Sequence, residues 1–156
     1  ECILATVSSP EKAEIARLAG ADRVINYREE DSLKAILEAT NGSGVDLILE
    51  VDLAANVDLD VAALAREGRV VAYGSSEREF KMPFSKSILK NIGFDFFILY
   101  HLSDSRRLEI SIGVNDLIAS GNIDHNIAEV LPLDSIVKAH ELVESGKVVG
   151  NVVVAI

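Results

Sequence analysis

A chain of 156 residues, nearly half of them apolar, with 25 acidic against 15 basic side chains and a net charge of -10, is long enough to bury one real core. The acidic balance argues against nucleic acid or an anionic membrane as partner, since both attract basic surfaces, and no run approaches the roughly 18 consecutive apolar residues of a membrane span. Cys2 is the single cysteine, which excludes an intramolecular disulfide and a thiolate-rich zinc site. It agrees with a cytoplasmic location, as does the lack of a charged n-region and cleavage pattern at the start.

Residues 2–7 read as a buried β-strand. Ser9 is placed to cap a helix over residues 10–19, with Pro10 at its first position, Gly20 as its stop, and Ile15, Leu18 and Ala19 on one face. A short strand over 23–27 leads to a helix over 31–40 with Leu33, Ile36 and Leu37 as its stripe, ended by Asn41-Gly42-Ser43-Gly44. Then come an apolar strand over 45–51, a helix over 56–66 with Asn56 as its expected cap, and a strand over 69–73 closed by Gly74-Ser75-Ser76. A short helix over 84–91 precedes a strongly apolar strand over 94–100. Ser103 caps a long helix to about residue 120, whose stripe includes Ile110, Val114, Leu117 and Ile118. Strands over 127–131 and 151–156 flank a helix over 133–144 that Gly146 ends.

This alternation predicts an α/β fold, a doubly wound and largely parallel sheet with its strands covered on both faces. Ligands of such sheets bind at the carboxyl ends of the strands, so Ser8-Ser9, Tyr27-Arg28, Val51-Asp52, Gly74-Ser75 and Leu99-Tyr100 are expected along one edge. The opening strand and its Ser8-Ser9-Pro10 turn look like the second strand of a dinucleotide-binding fold, and no Gly-x-Gly-x-x-Gly occurs in the chain. The expected sheet is therefore Rossmann-like but without the first strand and the glycine-rich loop. That strand is central in the order 3-2-1-4-5-6, so the strands over 2–7 and 45–51 should each lack a neighbour. The sheet must then close up, borrow a strand or depend on another chain.

Several stretches carry a family resemblance: Ser9-Pro10-Glu11-Lys12, Gly20-Ala21-Asp22, Val24-Ile25-Asn26-Tyr27-Arg28, Gly44-Val45-Asp46, Gly68-Arg69-Val70-Val71, Ala139-His140-Glu141, and Ser145-Gly146-Lys147 leading to Gly150-Asn151-Val152-Val153. Together they resemble the medium-chain dehydrogenase/reductase superfamily, and within it the zinc-independent, zeta-crystallin-like NADPH:quinone oxidoreductases. The likeness runs end to end but covers only the C-terminal, nucleotide-binding half of such an enzyme, as an expressed portion or a truncated product would. It implies a domain fragment over 1–156, of which 123–156 packs in the family against a catalytic domain. The whole protein is then expected to move hydride from NADPH to a quinone or activated enone. The alternatives are a 2-enoyl-thioester reductase and a non-catalytic, crystallin-like or regulatory module. The family pairs the strand over 94–100 with its twofold mate, and here that strand is too apolar for a solvent-exposed edge, so a homodimer is expected.

An NAD site commonly places a carboxylate at the end of the second strand to bind the ribose hydroxyls. Here Ser8, Ser9 and Lys12 stand instead, and hydroxyls with an ammonium favour the 2′-phosphate of NADP, unless Ser9 merely caps its helix and Lys12 is solvated. The resemblance places Tyr27 near the adenosine phosphate. Arg28 either adds charge there or pairs with Glu29 or Glu30. Gly74 and Ser75 are expected to face the nicotinamide half, where a glycine admits close approach. Phe97, Ile98 and Leu99 are expected to place backbone near the carboxamide, and Asn151 to reach the cofactor; packing is the competing reading for each. His140, on the stripe with Ile136, Val137 and Val143, reads as structural. His101 and His125 lack ligand-spaced companions, so no metal is expected, and no catalytic residue is assigned. Without the glycine loop, weak or no NADPH binding by this chain alone is expected.

Overall fold

Every strand pair in the computed structural model, which describes residues 2–121, 123 and 125–156, is parallel. The chain divides into two compact units after Glu109. In the first, β1 (Leu4–Val7) pairs with β2 (Arg23–Asn26), Leu4 opposite Arg23 and Val7 opposite Asn26. A separate ladder holds β3 (Val45–Glu50), β4 (Leu64–Ala72) and β5 (Gly93–Phe96) in that order. The helices between them are α1 (Pro10–Leu18), α2 (Ser32–Ala39), α3 (Leu53–Ala63) and α4 (Phe84–Lys90). After a 3-10 turn at Leu99–His101, α5 (Asp104–Ala119) begins in the first unit and continues into the second. There β6 (Ile127–Pro132) pairs with β7 (Asn151–Ala155), the two joined through α6 (Ile136–Glu144). Among the described residues no helix is long and apolar enough to cross a membrane.

The sheet does not close up between β1 and β3. Among the described residues β1 pairs only with β2, and β3 only with β4, so one edge of each is left without a ladder. The expected cover on both faces holds at β2, where Val24 packs with Ala13 of α1 and Ile25 with Ala35 and Ile36 of α2, but not along β3, where alternation turns Ile48 inward and leaves Leu47, Leu49 and the following Val51 exposed.

Local chemistry sets most element ends. The Ser9 hydroxyl accepts the Lys12 amide at 3.3 Å and starts α1, and the Asp31 carboxylate accepts the Lys34 amide at 3.0 Å and starts α2. The helix expected over 56–66 instead begins at Leu53 and stops at Ala63, with Asp52 at its N-cap. It stops because Leu64 turns extended and the Lys90 ammonium takes the carbonyls of Val61, Ala62 and Leu64 at 2.9, 2.9 and 2.6 Å. Burial and the neighbouring Arg66 charge hold the Lys90 pKa below its ordinary value. β4 therefore starts at Leu64, bulges where Glu67 adopts φ +62, and enters regular pairing at Arg69 opposite Leu47.

The core lies between α3 and the β3–β4 face, with Leu53, Val57, Val61, Leu64, Val70 and Ala72 buried. A second cluster of Ile25, Ala35, Ile36 and Ala63 joins β2 and α2 to α3. The strand expected over 94–100 is shorter than its apolar run: β5 ends at Phe96, and the chain turns at Leu99. The α5 stripe of Ile110, Val114, Leu117 and Ile118 is exposed. Replacing Lys90 by Met keeps the stem but removes the charged donor from three carbonyls. Urea unfolding is expected to show a loss of about 2 kcal/mol.

Candidate functional site

Two groups of residues gather at the carboxyl ends of the parallel strands. In the first, Ser8 follows β1 and Tyr27 follows β2, and the Tyr27 amide donates to the carbonyl of Val7 at 3.1 Å, which fixes the two strand ends side by side. The Ser9 hydroxyl is engaged as the α1 cap, so of the two serines it is Ser8 whose side chain is not committed to that helix. Lys12 is half-buried in the first turn of α1. Arg28 is exposed, and its amide donates to the Asn26 side chain at 3.2 Å. Of the two acids expected to pair with it, Glu30 pairs with Arg23 at 2.7 Å, and Glu29 forms no ion pair among the described residues. Among the described residues neither Lys12 nor Arg28 forms an ion pair. Lys12 after β1 and Arg28 after β2 thus follow neighbouring parallel strands.

The second group surrounds a cavity of about 420 Å³ beyond β4 and β5. Gly74, Ser75, Phe97 and Ile98 line it, together with Glu77, Arg78 and Phe80, which the sequence pattern did not mark. Leu99 is absent from the lining, since the chain has already entered the 3-10 turn. Phe97 and Ile98 do not end a strand. The Phe97 amide still reaches the carbonyl of Ala72 at 3.3 Å, and its ring meets Tyr73 at 5.9 Å between centroids.

Glycine is required at 74 for a reason other than the one expected. A Cβ there would stand 2.3 Å from the carbonyl oxygen of Val51, so the close approach is between the ends of β3 and β4. The two ends are stitched by the Leu53 amide on the Gly74 carbonyl at 3.2 Å, the Ala54 amide on the Ser75 hydroxyl at 3.2 Å and the Ser76 amide on the Asp52 carboxylate at 2.7 Å. The last bond holds the Asp52 pKa below its ordinary value. Asn56 is not the helix cap. It lies inside α3 and donates its side-chain amide to Glu50 at 3.1 Å, and the Asp52 amide donates to the same Glu50 oxygen. Behind them Asp60 is buried against Glu50. Burial first, then the Glu50 charge, pushes the Asp60 carboxyl up to about 7.

Asn151 opens β7 in the second unit, where its side chain donates to the carbonyl of His125 at 3.3 Å and its amide to that of Asn126 at 2.9 Å. His140, expected to pack as a structural residue, is exposed on α6.

Comparison with known proteins fits this geometry. The sequence profile of zinc-binding dehydrogenases matches residues 19–154. The chain belongs to that family, within the medium-chain dehydrogenase/reductase superfamily. It is 31% identical over 156 residues to quinone oxidoreductase 1 of Escherichia coli, covering 96% of this chain and 47% of that protein. The structure of an E. coli quinone oxidoreductase complexed with NADPH superposes with a TM-score of 0.81 at 28% identity, over 99% of this chain and 49% of that one. The alcohol dehydrogenase TADH from Thermus sp. ATN1 superposes with a TM-score of 0.85 at 28% identity, over 100% and 44%. The chain thus spans about half the length of the curated relatives it matches, and has the fold of the Rossmann-like nucleotide-binding part of these oxidoreductases.

This zinc-binding dehydrogenase chain does not itself assemble a zinc donor set: among the described residues no three His, Cys, Asp or Glu side chains come together. The cavity lies at the carboxyl ends of β4 and β5, the edge at which parallel α/β sheets bind ligands. Replacing Gly74 by Ala forces the β3 and β4 ends apart. A loss of about 1–3 kcal/mol in thermal or urea unfolding is expected, with faster exchange of the Leu53 and Ala54 amides.

Proposed function

We propose that this chain is the cofactor-binding part of an NADPH-dependent quinone oxidoreductase that reduces a quinone or an activated enone. The observation that carries the reading is the corner at the end of β1, where a serine and the cations Lys12 and Arg28 stand in place of a ribose-binding carboxylate. Ser8 and Lys12 would take the 2′-phosphate, with Arg28 adding charge and Tyr27 flanking the adenosine. Gly74 and Ser75 would shape the nicotinamide half, and Phe97, Ile98 and Phe80 would wall it from water. NADPH, when bound, supplies the hydride, and this chain orients it. The likeness to quinone oxidoreductases supports the substrate class and, with it, the zinc-independent branch. In this reading Asn151 reaches the cofactor, and residues 123–156 pack against a catalytic domain. A cytoplasmic setting, with neither nucleic acid nor membrane as partner, accords with the single cysteine and the charge of -10.

The test uses the protein extended to include a glycine loop and substrate domain. NADPH is expected to bind at least tenfold more tightly than NADH, and Lys12→Glu to erase that preference while leaving NADH affinity within about threefold, a difference of about 1.4 kcal/mol per tenfold. Equal affinities in the parent protein would overturn the reading. For the 156-residue chain alone, titration is expected to give no low-micromolar NADPH binding.

The same reading includes a homodimer through β5, now bounded at Gly93–Phe96 rather than residues 94–100. Among the described residues β5 pairs with β4 on one side only, and Phe96, its last residue, is 65% exposed. Sedimentation equilibrium is expected to give a dimer that Phe96→Lys converts to monomer; a monomer throughout for the parent chain counts against it.

A further inference from the structure

We propose that Glu50 and Asp60 form a proton-sharing pair that positions the β3–β4 rim, and that removing the shared proton loosens this rim. Glu50 ends β3 and Asp60 lies two turns into α3, and both are buried, at 6% and 4% exposure. Asn56, one turn before Asp60 on α3, reaches Glu50 with its side-chain amide, and Asp60 is held beside the same acid, its carboxyl pushed up by burial, by the Glu50 charge and by hydrogen bonding to Glu50. Among the described residues the buried Asp60 Oδ2 has no hydrogen-bond partner. With Asp60 protonated, Glu50 accepts from the Asp52 amide and the Asn56 side chain.

The arrangement links the pair to the rim through one turn of chain. Glu50 holds the amide of Asp52, and the carboxylate of Asp52 holds the amide of Ser76 at 2.7 Å. Leu53 and Ala54, next in the same turn, hold Gly74 and Ser75. The β3–α3 turn is thus fixed from behind by the pair and from the front by the residues that line the cavity. Glu50 and Asp60 are positioning residues. The link itself is independent of which ligand fills the cavity; its bearing on a nucleotide rests on the function proposed above.

Little around the pair offsets a second charge. The Glu50 charge from β3 is the one Coulombic influence on Asp60, and the polar neighbours of Glu50 are the Asp52 amide from the turn and Asn56 from α3. The α3 residues flanking Asp60, Val57 and Val61, pack with Val70 and Ala72 of β4. Among the described residues no lysine, arginine or histidine pairs with either carboxyl. The sign follows. Asp60 keeps its proton in the folded chain up to about pH 7, far above the ordinary carboxylate value, so the pair supports the fold fully in acid and progressively less as the pH rises to 7. Above that, two adjacent negative charges repel, water enters between α3 and β3, and Glu50 relaxes its hold on Asp52.

The experiment is a pH titration of the 15N-labelled chain by NMR from pH 5 to 8.5, without ligand. The Asp52 amide, the Asn56 side-chain amide and the Ser76 amide are expected to titrate together with one midpoint near 7. Exchange of the Leu53, Ala54 and Ser76 amides, corrected for the intrinsic effect of pH, is expected to quicken at least fivefold across that midpoint. Asp60→Asn removes both the midpoint and the acceleration. Glu50→Gln displaces the midpoint and detaches the Asp52 and Ser76 responses from it. Flat or separately titrating resonances in the parent chain, or an unchanged titration in Asp60→Asn, would overturn the proposal. If neither variant folds, the parent titration alone decides. NADPH binding plays no part in this readout, so its failure leaves the nucleotide reading where it stood, and the reverse.

Discussion

Among the described residues no backbone ladder crosses from β1 to β3, so side-chain packing must hold the two halves of the first unit together. That task falls to Ile25, Ala35, Ile36 and Ala63, which pack with the half-buried Leu4, Leu33, Val45 and Ile48 drawn from both sides of the break. Each large member buries apolar surface worth roughly 1.5–3 kcal/mol, so the cluster is a substantial share of what a domain of this size retains after conformational entropy is met. Ala63 sits at the centre of this arrangement. It ends α3 under the Lys90 ammonium, and its carbonyl lies 2.4 Å from where a side chain on Gly44 would begin. A glycine before β3 and a lysine at the end of α4 therefore fix the place where the two halves meet.

The same economy of parts governs the rim. Residues that sequence patterns mark as ligand contacts are often already occupied: Ser9 caps α1, Ser75 receives the Ala54 amide, Gly74 makes room for Val51, and Asn151 holds the segment before β6. These duties are compatible with ligand contact through the remaining backbone, yet they show that the residue type there is demanded by the fold first. Lys12 and Arg28 differ, since among the described residues no ion pair takes up their charge; their part in binding an anion belongs to the function proposed above.

Much of the architecture was legible because period and punctuation agreed. Alternating apolar strands and Gly-ended helices gave the parallel α/β order, and Ser9 and Asp31 gave helix starts that depend only on neighbours in sequence. The misreadings involve partners on other elements of the fold. Asn56 has the chemistry of a cap, but Glu50 draws it into α3, and the helix starts earlier, at Leu53. The run from Phe94 to Tyr100 has strand composition throughout, but only Gly93–Phe96 finds β4 alongside, and composition carries no information about where a neighbour stops. Glu77, Arg78 and Phe80 joined the cavity unannounced, because a loop without period acquires its position only from the walls around it.

The buried acids mark the limit of such reading most clearly. Asp60 sits among the valines and alanines of α3 in a segment where Asp58, two residues before it, is exposed, and nothing local distinguishes the two. Which one is buried depends on the phase of α3 against β3, and that phase is set by the start at Leu53, itself held by the rim. Had the helix begun at Asn56, as sequence alone suggested, no start signal would have tied its phase to Gly74. The bonds that stitch Asp52, Leu53 and Ala54 to Gly74, Ser75 and Ser76 thus place the acid beside Glu50, and the proton the two share holds Glu50 where it can keep those bonds in place. Cause runs both ways between rim and acid pair. A buried acid tolerated for packing alone would need no such return path, whereas one that reports its protonation to a ligand-facing edge would have to be built with it.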